Sequence, residues 1–289
     1  MASNGFPVSF RNVRSFAIIL LVGATLLEAA PRRIVAVGGA TTETLFALGA
    51  GGEIVGVDST STFPPEATAL PQVGYQRALS AEGIASLKPD LVVLPATAGP
   101  ATAVEQLERL GIPVLRLQEG HSFEAATARV LAIGSAVNRQ SEAGALAAKM
   151  ADQIALIVPP GDPAPAALFV MSLGSGAPMA AGAGTAADAA LRLAGARNLG
   201  NSFTGYKQLS REALVALSPE VVVTTSRTMQ ASSGNSPQWL PGLELTPAGK
   251  NSRVVVMDDL FLLGFGPRSG EAIRELARRL GESRLRAGS

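Results

Sequence analysis

The sequence predicts an α/β protein of two similar lobes. Each lobe has a mostly parallel sheet flanked by helices, one long α-helix joins the lobes, and a ligand cleft lies between them. Three features lead to this fold: a segment recurs 130 residues later, apolar runs occur without alternation, and a helical stretch ends at a proline-rich boundary between the halves. Unbroken runs of Val, Ile and Leu are typical of parallel strands covered on both faces.

The recurring segment contains the only two tyrosines of the chain, Tyr75 and Tyr206. Each precedes a Leu-Ser-x-Glu sequence, which begins at Leu79 in the first copy and at Leu209, 130 residues later, in the second. Further identical pairs follow in the same register: Leu87/Leu217, Pro89/Pro219, Val92/Val222 and Val93/Val223. A duplicated unit of this kind predicts two lobes that each direct a tyrosine into the space between them, which is the layout of a binding protein.

Composition bounds the class of protein. The 289 residues are 47% hydrophobic and 16% charged, so the chain can bury a large core and general disorder is not expected. The net charge of +1 and the lack of a basic tract make nucleic acid a poor partner. Because cysteine is absent, disulfides, thiolate metal sites and thiol catalysis are excluded, and no cysteine is available for a lipid anchor.

Residues 1–30 are predicted to be an export signal, which places the protein in the periplasm. Arg11 and Arg14 precede an apolar run, Phe16–Leu27, that is shorter than the ~20 residues of a membrane span. An uncleaved anchor or a buried helix is the alternative. Charge order, length and position together favour export, and the cleavage position stays open.

Residues 31–137 form the predicted N-terminal α/β lobe. Its strands are expected at Arg33–Val37, Ile54–Val57, Leu91–Leu94 and Pro113–Leu117. Its helices are expected from Thr41 or Thr42 to Leu48, at Ser80–Leu87 and at Ala101–Leu110. The threonines and Ser80 are the predicted N-caps, Gly49 ends the first helix and Pro89 ends the second.

Residues 138–158 are the predicted connecting helix. The pattern is helical from Phe123 to Ile157, with interruptions expected near Gly134 and Asn138. Four prolines then fall within Pro159–Pro165 and mark a boundary. The connection between the lobes is therefore expected to be a single stiff helix, which favours small lobe movements over a wide hinge.

Residues 159–289 form the predicted C-terminal α/β lobe. Strands are expected at Ala167–Met171, Val221–Thr225 and Val254–Met257, and helices at Thr185–Leu193, Ser210–Leu217 and after Pro267. The last helix has an apolar face of Ile273, Leu276, Ala277 and Leu280. Each half thus repeats strand, glycine-rich turn, Thr-capped helix, tyrosine, Ser-x-Glu helix, Pro-acid and buried strand. Strand C-termini and glycine-rich turns are expected to line the crevice between the lobes.

Three segments carry a resemblance to a known family. They are Leu70-Pro71-Gln72-Val73-Gly74-Tyr75-Gln76-Arg77 with the following Leu79–Ile84, then Pro178–Asp188, and Gly264-Phe265-Gly266-Pro267-Arg268. Through them the chain resembles the periplasmic haem-binding proteins of bacterial haem ABC importers, over roughly residues 32–281. The Val-Gly-Tyr segment is the most specific part. The Leu-x-Pro-acid-Val-Val element recurs in the wider family of siderophore and cobalamin binders joined by one helix, and indicates the fold more than the ligand.

The resemblance implies that Tyr75 is the axial ligand of a ferric haem iron. Phenols ionise near pH ~10 in water, so a phenolate at neutral pH requires the positive charge of Fe(III), and a hard anionic oxygen favours the ferric state. From the residues alone, Tyr75 is more simply a half-buried packing residue with its hydroxyl on a backbone carbonyl. The resemblance favours the ligand role.

Tyr206 is expected to approach from the opposite lobe, to stack on the porphyrin or donate a hydrogen bond to it, although retention for packing is an equal alternative. Some members of the family supply a histidine from the second lobe, but Val170–Gly174 contains none, and the only histidine, His121, follows a strand of the first lobe. A second axial ligand and a second haem are therefore not predicted. Met171 and Met179 can in principle ligate iron, but such methionines are more often core filler.

Haem propionates require cationic or amide partners. The candidates are Arg77, Lys207, Arg227 and Arg268, and Met179 is a candidate for the pocket wall. Arg77 is expected to face the same way as Tyr75 in extended chain and to hydrogen-bond the phenolate or a propionate. For each of these cations a solvated surface charge is the simpler alternative, except for Arg77 and Arg268, which lie in the family-like segments.

Glu82 and Glu212 are equivalent residues in the two lobes. Each lies in the first turn of a Ser-capped helix, where the helix dipole favours a carboxylate, and this is a sufficient structural explanation for either one. The resemblance implies a second role, because in the wider family one such glutamate per lobe docks onto arginines of the permease. Both residues are therefore candidates for permease docking.

The sequence thus predicts a non-enzymatic component of an ABC importer that captures ferric haem and delivers it to the permease. Its partners are an inner-membrane ABC permease with its ATPase, and an outer-membrane haem receptor system upstream. A binder of cobalamin or a ferric siderophore with the same fold is the alternative. A free-metal site is disfavoured because only one histidine exists, and no nucleophile motif for an enzyme is present. A carboxylate-based enzyme stays open.

Overall fold

A computed structural model describes residues 1, 30–172, 176–231 and 239–285 of the chain. The predicted export signal lies outside this part except at its two ends, and part of the glycine-rich stretch Gly174–Gly184 also lies outside it. Within these ranges no helix combines the length and the apolar character needed to cross a membrane.

The first lobe contains a parallel sheet and a short hairpin. Its strands are β1 (Ile34–Ala36), β2 (Ile54–Val57), β3 (Gly74–Tyr75), β4 (Ala78–Leu79), β5 (Leu91–Pro95) and β6 (Val114–Leu117). The parallel sheet has the order β2–β1–β5–β6, and β3 pairs antiparallel with β4. Alternate residues of the central strands enter two apolar clusters, Ile34 and Val93 on one face and Val35 and Val92 on the other. The four predicted strands are confirmed as a sheet buried on both faces.

Three helices follow the strands of this sheet. They are α1 (Gly39–Ala47), α2 (Ala81–Ser86) and α3 (Ala101–Arg109). The predicted cap of α2 is confirmed, because the N–H of Gly83 donates to Oγ of Ser80 at 3.1 Å. The helices α2 and α3 lie within one residue of their predicted limits at both ends, and α1 ends within one residue of its predicted end.

The predicted N-cap of α1 is wrong. Thr41 and Thr42 lie inside the helix and are buried, and α1 begins after Gly38, whose φ of 94° favours glycine. Side chains of another loop accept the hydrogen bonds of the backbone N–H groups at this end of the helix instead. Gly38 N–H donates to the buried Asp58 carboxylate at 2.8 Å, and the first N–H of α1 donates to Oγ1 of Thr60 at 3.0 Å.

Two helices carry the chain from the first sheet to the second, α4 (Phe123–Ala136) and α5 (Gln140–Ala155). The predicted interruption at Asn138 is confirmed, and its φ of 55° is left-handed. The predicted interruption at Gly134 is wrong. Gly134 continues α4 because the two helices pack closely there, and a Cβ at this position would collide with the Ala143 side chain. Lobe boundaries at residues 138 and 158 stay a prediction.

The second lobe contains a six-stranded mixed sheet. Its strands are β7 (Ala166–Met171), β8 (Met179–Ala181), β9 (Arg197–Asn198), β10 (Tyr206–Gln208), β11 (Val221–Thr225) and β12 (Val254–Met257). The order is β10–β8–β7–β11–β12, with β9 also beside β7. β7, β9, β11 and β12 are parallel, whereas β8 and β10 add an antiparallel edge. The sequence did not predict that edge because its strands have only three residues each and are rich in alanine and polar residues.

The helices of the second lobe are α6 (Ala186–Leu193), α7 (Arg211–Leu217), α8 (Ser226–Ala231), α9 (Pro247–Lys250), α10 (Asp259–Leu263) and α11 (Ser269–Leu285). Two predicted caps are confirmed. Thr185 accepts the N–H of Asp188 at 3.0 Å, and Ser210 accepts the N–H of Ala213 at 3.2 Å. The predicted apolar face of α11 is buried, as expected for the helix that covers the second sheet.

The acidic residue of the duplicated Pro-acid pair accepts equivalent backbone hydrogen bonds in both lobes. The Asp90 carboxylate accepts the N–H groups of Arg32 and Arg33, which precede β1, at 2.9 and 3.0 Å. The Glu220 carboxylate accepts the N–H of Ala166, the first residue of β7, at 3.4 Å. Each acid thus ties the start of one parallel strand to the start of the next, which explains why the repeat keeps an acidic residue there.

Candidate functional site

A cavity of about 1250 Å³ lies between the two lobes. Its wall is formed where parallel strands end, and it includes one residue or more after each of β1, β5, β6, β11 and β12, such as Gly38, Ala96, Gln118, Ser226 and Asp258. The predicted crevice at the carboxyl ends of the strands is therefore confirmed. Open α/β sheets bind their ligands at this edge.

Tyr75 lies in the β3–β4 hairpin beside this cavity and is 45% exposed. The hairpin is fixed to the first sheet by the hydrogen bond from Ser59 N–H to Gly74 O, at 2.8 Å. The cavity wall includes the next two residues, Gln76 and Arg77, but not Tyr75. Tyr75 is thus at the rim of the cleft, with its side chain available to a ligand that extends to this hairpin.

Arg77 reaches the cavity in a way that the sequence did not predict. Gln76 and Arg77 form the turn of the hairpin, so Arg77 does not follow Tyr75 along an extended strand. The expectation of an extended chain from Tyr75 to Arg77 is therefore wrong, and a shared direction of the two side chains stays a prediction. From this turn Arg77 lines the cavity, and its charge acts on Tyr206 of the second lobe.

Tyr206 lies in β10 and lines the cavity from the second lobe. Burial raises the pKa of its phenol above 10, while Thr185 and the positive charge of Arg77 act in the opposite direction. The hydroxyl therefore keeps its proton at neutral pH and is a hydrogen-bond donor. The cavity wall thus includes a phenol from the second lobe and a guanidinium from the first.

Three other predicted pocket residues do not line the cavity: Lys207, Met179 and Arg268. Lys207 follows Tyr206 in the strand and therefore points to the other face, with Nζ 5.2 Å from the centre of the Phe203 ring. Met179 is half-buried in β8, opposite Met171 and Gln208. Of the predicted pocket residues, Arg77, Tyr206 and Arg227 lie in the wall.

Arg268 forms a clasp between the lobes. Its Nε and Nη2 donate to the two carboxylate oxygens of Glu43 in α1, at 2.8 and 2.9 Å. The side chain of Glu43 is 6% exposed and that of Arg268 is 25% exposed. The guanidinium carbon lies 3.6 Å from the centre of the Phe63 ring and 5.0 Å from that of Phe261. The charge of Arg268 is therefore already paired with Glu43.

The sequence analysis did not single out Glu43, although its position in the helix indicates a buried ion pair. It is the one charged residue of α1, whose other residues are apolar, glycine or threonine, and the helix is buried over most of its length. A charged side chain in such a helix is rarely buried without a partner. The identity of that partner, 225 residues away, was not visible.

Phe265 joins the two lobes beside this clasp. It belongs to the second lobe, but its side chain is 2% exposed and packs in the apolar cluster of the first sheet. Its φ of 47° is unfavourable for a bulky residue, at a typical cost of ~1–3 kcal/mol. Its carbonyl accepts a hydrogen bond from Arg129 of α4 at 2.9 Å. The seam between the lobes is therefore a packed interface at this end of the cavity.

His121 and Arg129 lie in the cavity wall next to this seam. The ring of His121 is 5.6 Å from that of Phe265. Loss of water and then the charge of Arg129 lower the pKa of His121, and Glu119 opposes them in part. His121 is therefore neutral at neutral pH. The sequence left His121 without a role and did not single out Arg129, because nothing in the spacing of α4 indicates which face meets the cleft.

The charge of the wall is mixed. It includes four arginines, Arg77, Arg129, Arg192 and Arg227, and three carboxylates, Glu119, Asp258 and Asp259. Large apolar side chains alternate with them, among them Ile133, Leu260, Leu263 and Phe265. A wall of this kind suits a ligand with a broad apolar body and anionic groups at its edge.

Glu82 and Glu212 lie outside the cavity, in the first turns of α2 and α7, and both are exposed. Hydrogen bonds with its own backbone N–H and with Ser210 lower the pKa of Glu212, as does the charge of Arg211. Each lobe therefore presents an exposed carboxylate at an equivalent position. Within the described ranges, no three or more acidic or histidine side chains gather into a set that could hold a metal ion.

Comparison with known proteins places this fold in a family. A family model described as periplasmic binding protein matches residues 34–260. Among solved structures, the apo form of the periplasmic heme-binding protein RhuT from Roseiflexus sp. RS-1 is 35% identical, with a TM-score of 0.83 over 87% of this chain and 98% of that one. The periplasmic heme-binding protein BhuT, in complex with two hemes, is 41% identical, with a TM-score of 0.80 over the same shares of the two chains.

A curated relative has a different ligand in its name. The cobalamin-binding protein of Halobacterium salinarum is 32% identical over 227 residues, which is 76% of this chain. The match spans 58% of that relative's length. Similarity in sequence thus reaches proteins named for two kinds of tetrapyrrole.

Proposed function

The chain belongs to the periplasmic binding protein family and is a substrate-binding protein of an ABC importer, and we propose that its substrate is ferric haem. The observation that carries the proposal is a cleft between two lobes whose wall combines Tyr206, Arg77 and apolar side chains, with Tyr75 at the rim. The likeness to RhuT and BhuT over most of the chain supports it.

We assign Tyr75 as the ligand of the iron. It is exposed, it is held on a hairpin that is hydrogen-bonded to the first sheet, and it lies next to residues of the cavity wall. A phenolate oxygen is a hard anionic ligand that suits Fe(III). Exposure lets the phenol release its proton to solvent when iron binds. Arg77 then lies one turn residue away and favours an anion at this rim.

Tyr206 is the proposed contact from the second lobe. With its proton retained, it donates a hydrogen bond to the porphyrin edge or stacks on the ring. The cavity volume exceeds the ~300–1,000 Å³ of most small-molecule sites. The structure of BhuT is a complex with two hemes, so the end point of a hemin titration, at one or two equivalents per chain, decides whether this cleft holds a second haem.

Cobalamin is the second candidate, because of the relative from Halobacterium salinarum. A titration of the purified chain with hemin and, in parallel, with cyanocobalamin separates the two. We expect hemin to give a high-spin ferric spectrum with a tyrosinate band, and cobalamin to bind at least a hundredfold more weakly, about 3 kcal/mol. Tight binding of cobalamin with no spectral change on adding hemin would refute the haem assignment.

Glu82 and Glu212 are proposed to dock the loaded protein on the permease. We expect the double variant Glu82→Arg/Glu212→Arg to lose import into cells or permease-containing vesicles, because like charges then face the permease arginines. The affinity for hemin is expected to stay within about twofold, since both residues lie outside the cavity. Charge reversal at Glu105 and Glu142, which are also exposed, is the control. Loss of hemin binding in the double variant would contradict the docking role.

The importer itself supplies the other partners. As a substrate-binding protein, the chain delivers its ligand to an ABC permease with its ATPase. Its family and its neighbours are substrate-binding transport proteins rather than enzymes. The outer-membrane haem receptor system upstream stays a prediction.

A further inference from the structure

Arg129 is a cation at the inner end of the cleft whose hydrogen bonds go to backbone carbonyls. Nη1 donates to the carbonyls of Gly120 at 2.9 Å and Gln118 at 3.3 Å, and Nη2 donates to that of Phe265 at 2.9 Å. Among residues 30–172, 176–231 and 239–285, no carboxylate lies within ion-pair distance of it. The guanidinium is therefore positioned firmly, but its charge is not neutralised.

The position of Arg129 is costly for a cation. It is only partly accessible, and the removal of water lowers its pKa. A guanidinium has five N–H donors, and three hydrogen bonds to carbonyls leave two donors for another partner. Carbonyl dipoles offset part of the lost hydration, but a carboxylate would neutralise the charge of Arg129 and accept hydrogen bonds from its two remaining N–H donors.

The other three arginines of the wall have different surroundings. Arg192 pairs with Asp188 at 3.4 Å, whereas Arg227 and Arg77 are exposed. Arg129 differs from them because its guanidinium is held at the seam, where Ile133 and Phe265 make the wall apolar. Low polarity strengthens a charged hydrogen bond to a ligand.

His121 adds a second polar group beside Arg129. Both line the cavity, and the charge of Arg129 acts on the imidazole. A neutral imidazole retains one N–H that can donate. The nearby Glu119 is exposed to solvent, so water screens its repulsion of an incoming anion. The loop after β6 thus supplies a cation and a neutral donor at one place.

We propose that Arg129 and His121 form a carboxylate-binding subsite, which holds one propionate of the porphyrin at the seam between the lobes. This inference rests on the proposed function and assigns the propionate contact to α4 and the loop before it, in place of Arg268. Since Arg129 also donates to the Phe265 carbonyl, the bound carboxylate is held against both lobes. The subsite gives the cleft selectivity for porphyrins with free carboxylates.

Hemin and its dimethyl ester test the subsite, because the ester keeps the iron and the ring but has no carboxylate charge. We expect the wild-type chain to bind hemin roughly tenfold to a hundredfold more tightly than the ester. Arg129→Gln is expected to lower the affinity for hemin by a similar factor and to change the affinity for the ester by less than about threefold. The variant therefore loses the selectivity for hemin over the ester. Arg129→Lys keeps the charge without the planar fork and is expected to show intermediate selectivity.

Arg116→Gln is the control, because Arg116 lies outside the cavity and pairs with Glu108 on the surface; we expect it to retain full selectivity. Equal binding of hemin and ester by the wild-type chain would overturn the subsite without any variant. Unchanged selectivity in a folded Arg129→Gln protein, judged by far-UV circular dichroism, would do the same while haem binding stands. If the wild-type chain binds neither compound, the proposed function itself fails.

Discussion

Replacing Arg268 with alanine is expected to lower the free energy of unfolding by about 3–5 kcal/mol. The change leaves the Glu43 carboxylate, whose side chain is 6% exposed, without its two hydrogen bonds and without a counterion. It also removes the guanidinium from the face of the Phe63 ring. Because the pair joins α1 to the segment before α11, both lobes are affected. Urea unfolding of the ligand-free chain, followed by circular dichroism, measures the loss.

A matched exposed pair provides the control. Arg109 and Glu105 lie on the surface of α3, with side chains 77% and 51% exposed, and Arg109→Ala is expected to cost less than about 0.5 kcal/mol. The double variant Glu43→Leu/Arg268→Leu is expected to be more stable than Arg268→Ala alone, since no unpaired charge is then buried. An Arg268→Ala protein as stable as the Arg109→Ala protein would show that the clasp contributes nothing.

The clasp bears on how the cleft opens. Glu43–Arg268, the Phe265 side chain in the first lobe, and the bond from Arg129 to its carbonyl all lie along one seam. Separation of the lobes at this side requires breaking a buried ion pair and exposing an aromatic side chain. Both are costly, so we expect the seam to stay closed while ligand enters from the rim where Tyr75 lies.

Much of the fold was predictable because local signals agreed with one another. The unbroken apolar runs gave the parallel strands, and Ser80, Thr185 and Ser210 gave the starts of three helices. The register of the duplicated segment gave the equivalence of the lobes, including the acid that ties adjacent strands together. Each signal acts within a few residues of the structure that it specifies, so it can be interpreted without tertiary contacts.

The rest depended on contacts between distant segments. Thr41 and Thr42 are good cap residues by type, but Asp58 and Thr60 already satisfy the amides at the start of α1. The three-residue strands β8 and β10 have no apolar pattern of their own and pair only because β7 is beside them. Local propensity cannot reveal such partners.

Some residues of the candidate site were predictable from local motifs, whereas others depend on contacts between distant segments. The repeat indicated Tyr75 and Tyr206, and the family-like segment indicated Arg77. Arg268 was selected for the same reason as Arg77, but it pairs with Glu43 and lies outside the cavity wall. Arg129 was not singled out because its position depends on the packing of α4 against the second lobe at Phe265. The sequence thus indicated two of the four arginines in the cavity wall, Arg77 and Arg227, but not Arg129 or Arg192.

The second large effect is expected at Tyr75. Tyr75→Phe removes the one atom proposed to bond iron and keeps the ring, so we expect the affinity for hemin to fall by about a hundredfold or more, equivalent to ~3 kcal/mol. Stability is expected to change little, because Tyr75 is 45% exposed. Tyr206→Phe is the matched control from the second lobe. It is expected to lower the affinity for hemin by no more than about tenfold, because only one hydrogen bond is lost.

The ultraviolet–visible and electron paramagnetic resonance spectra of the hemin complex, recorded for the wild-type, Tyr75→Phe and Tyr206→Phe proteins with one equivalent of hemin, test the assignment of Tyr75 most directly. We expect a high-spin ferric tyrosinate signature in the wild-type and Tyr206→Phe proteins, and its loss in Tyr75→Phe. A tyrosinate signature of full amplitude in Tyr75→Phe would contradict the assignment of the iron ligand.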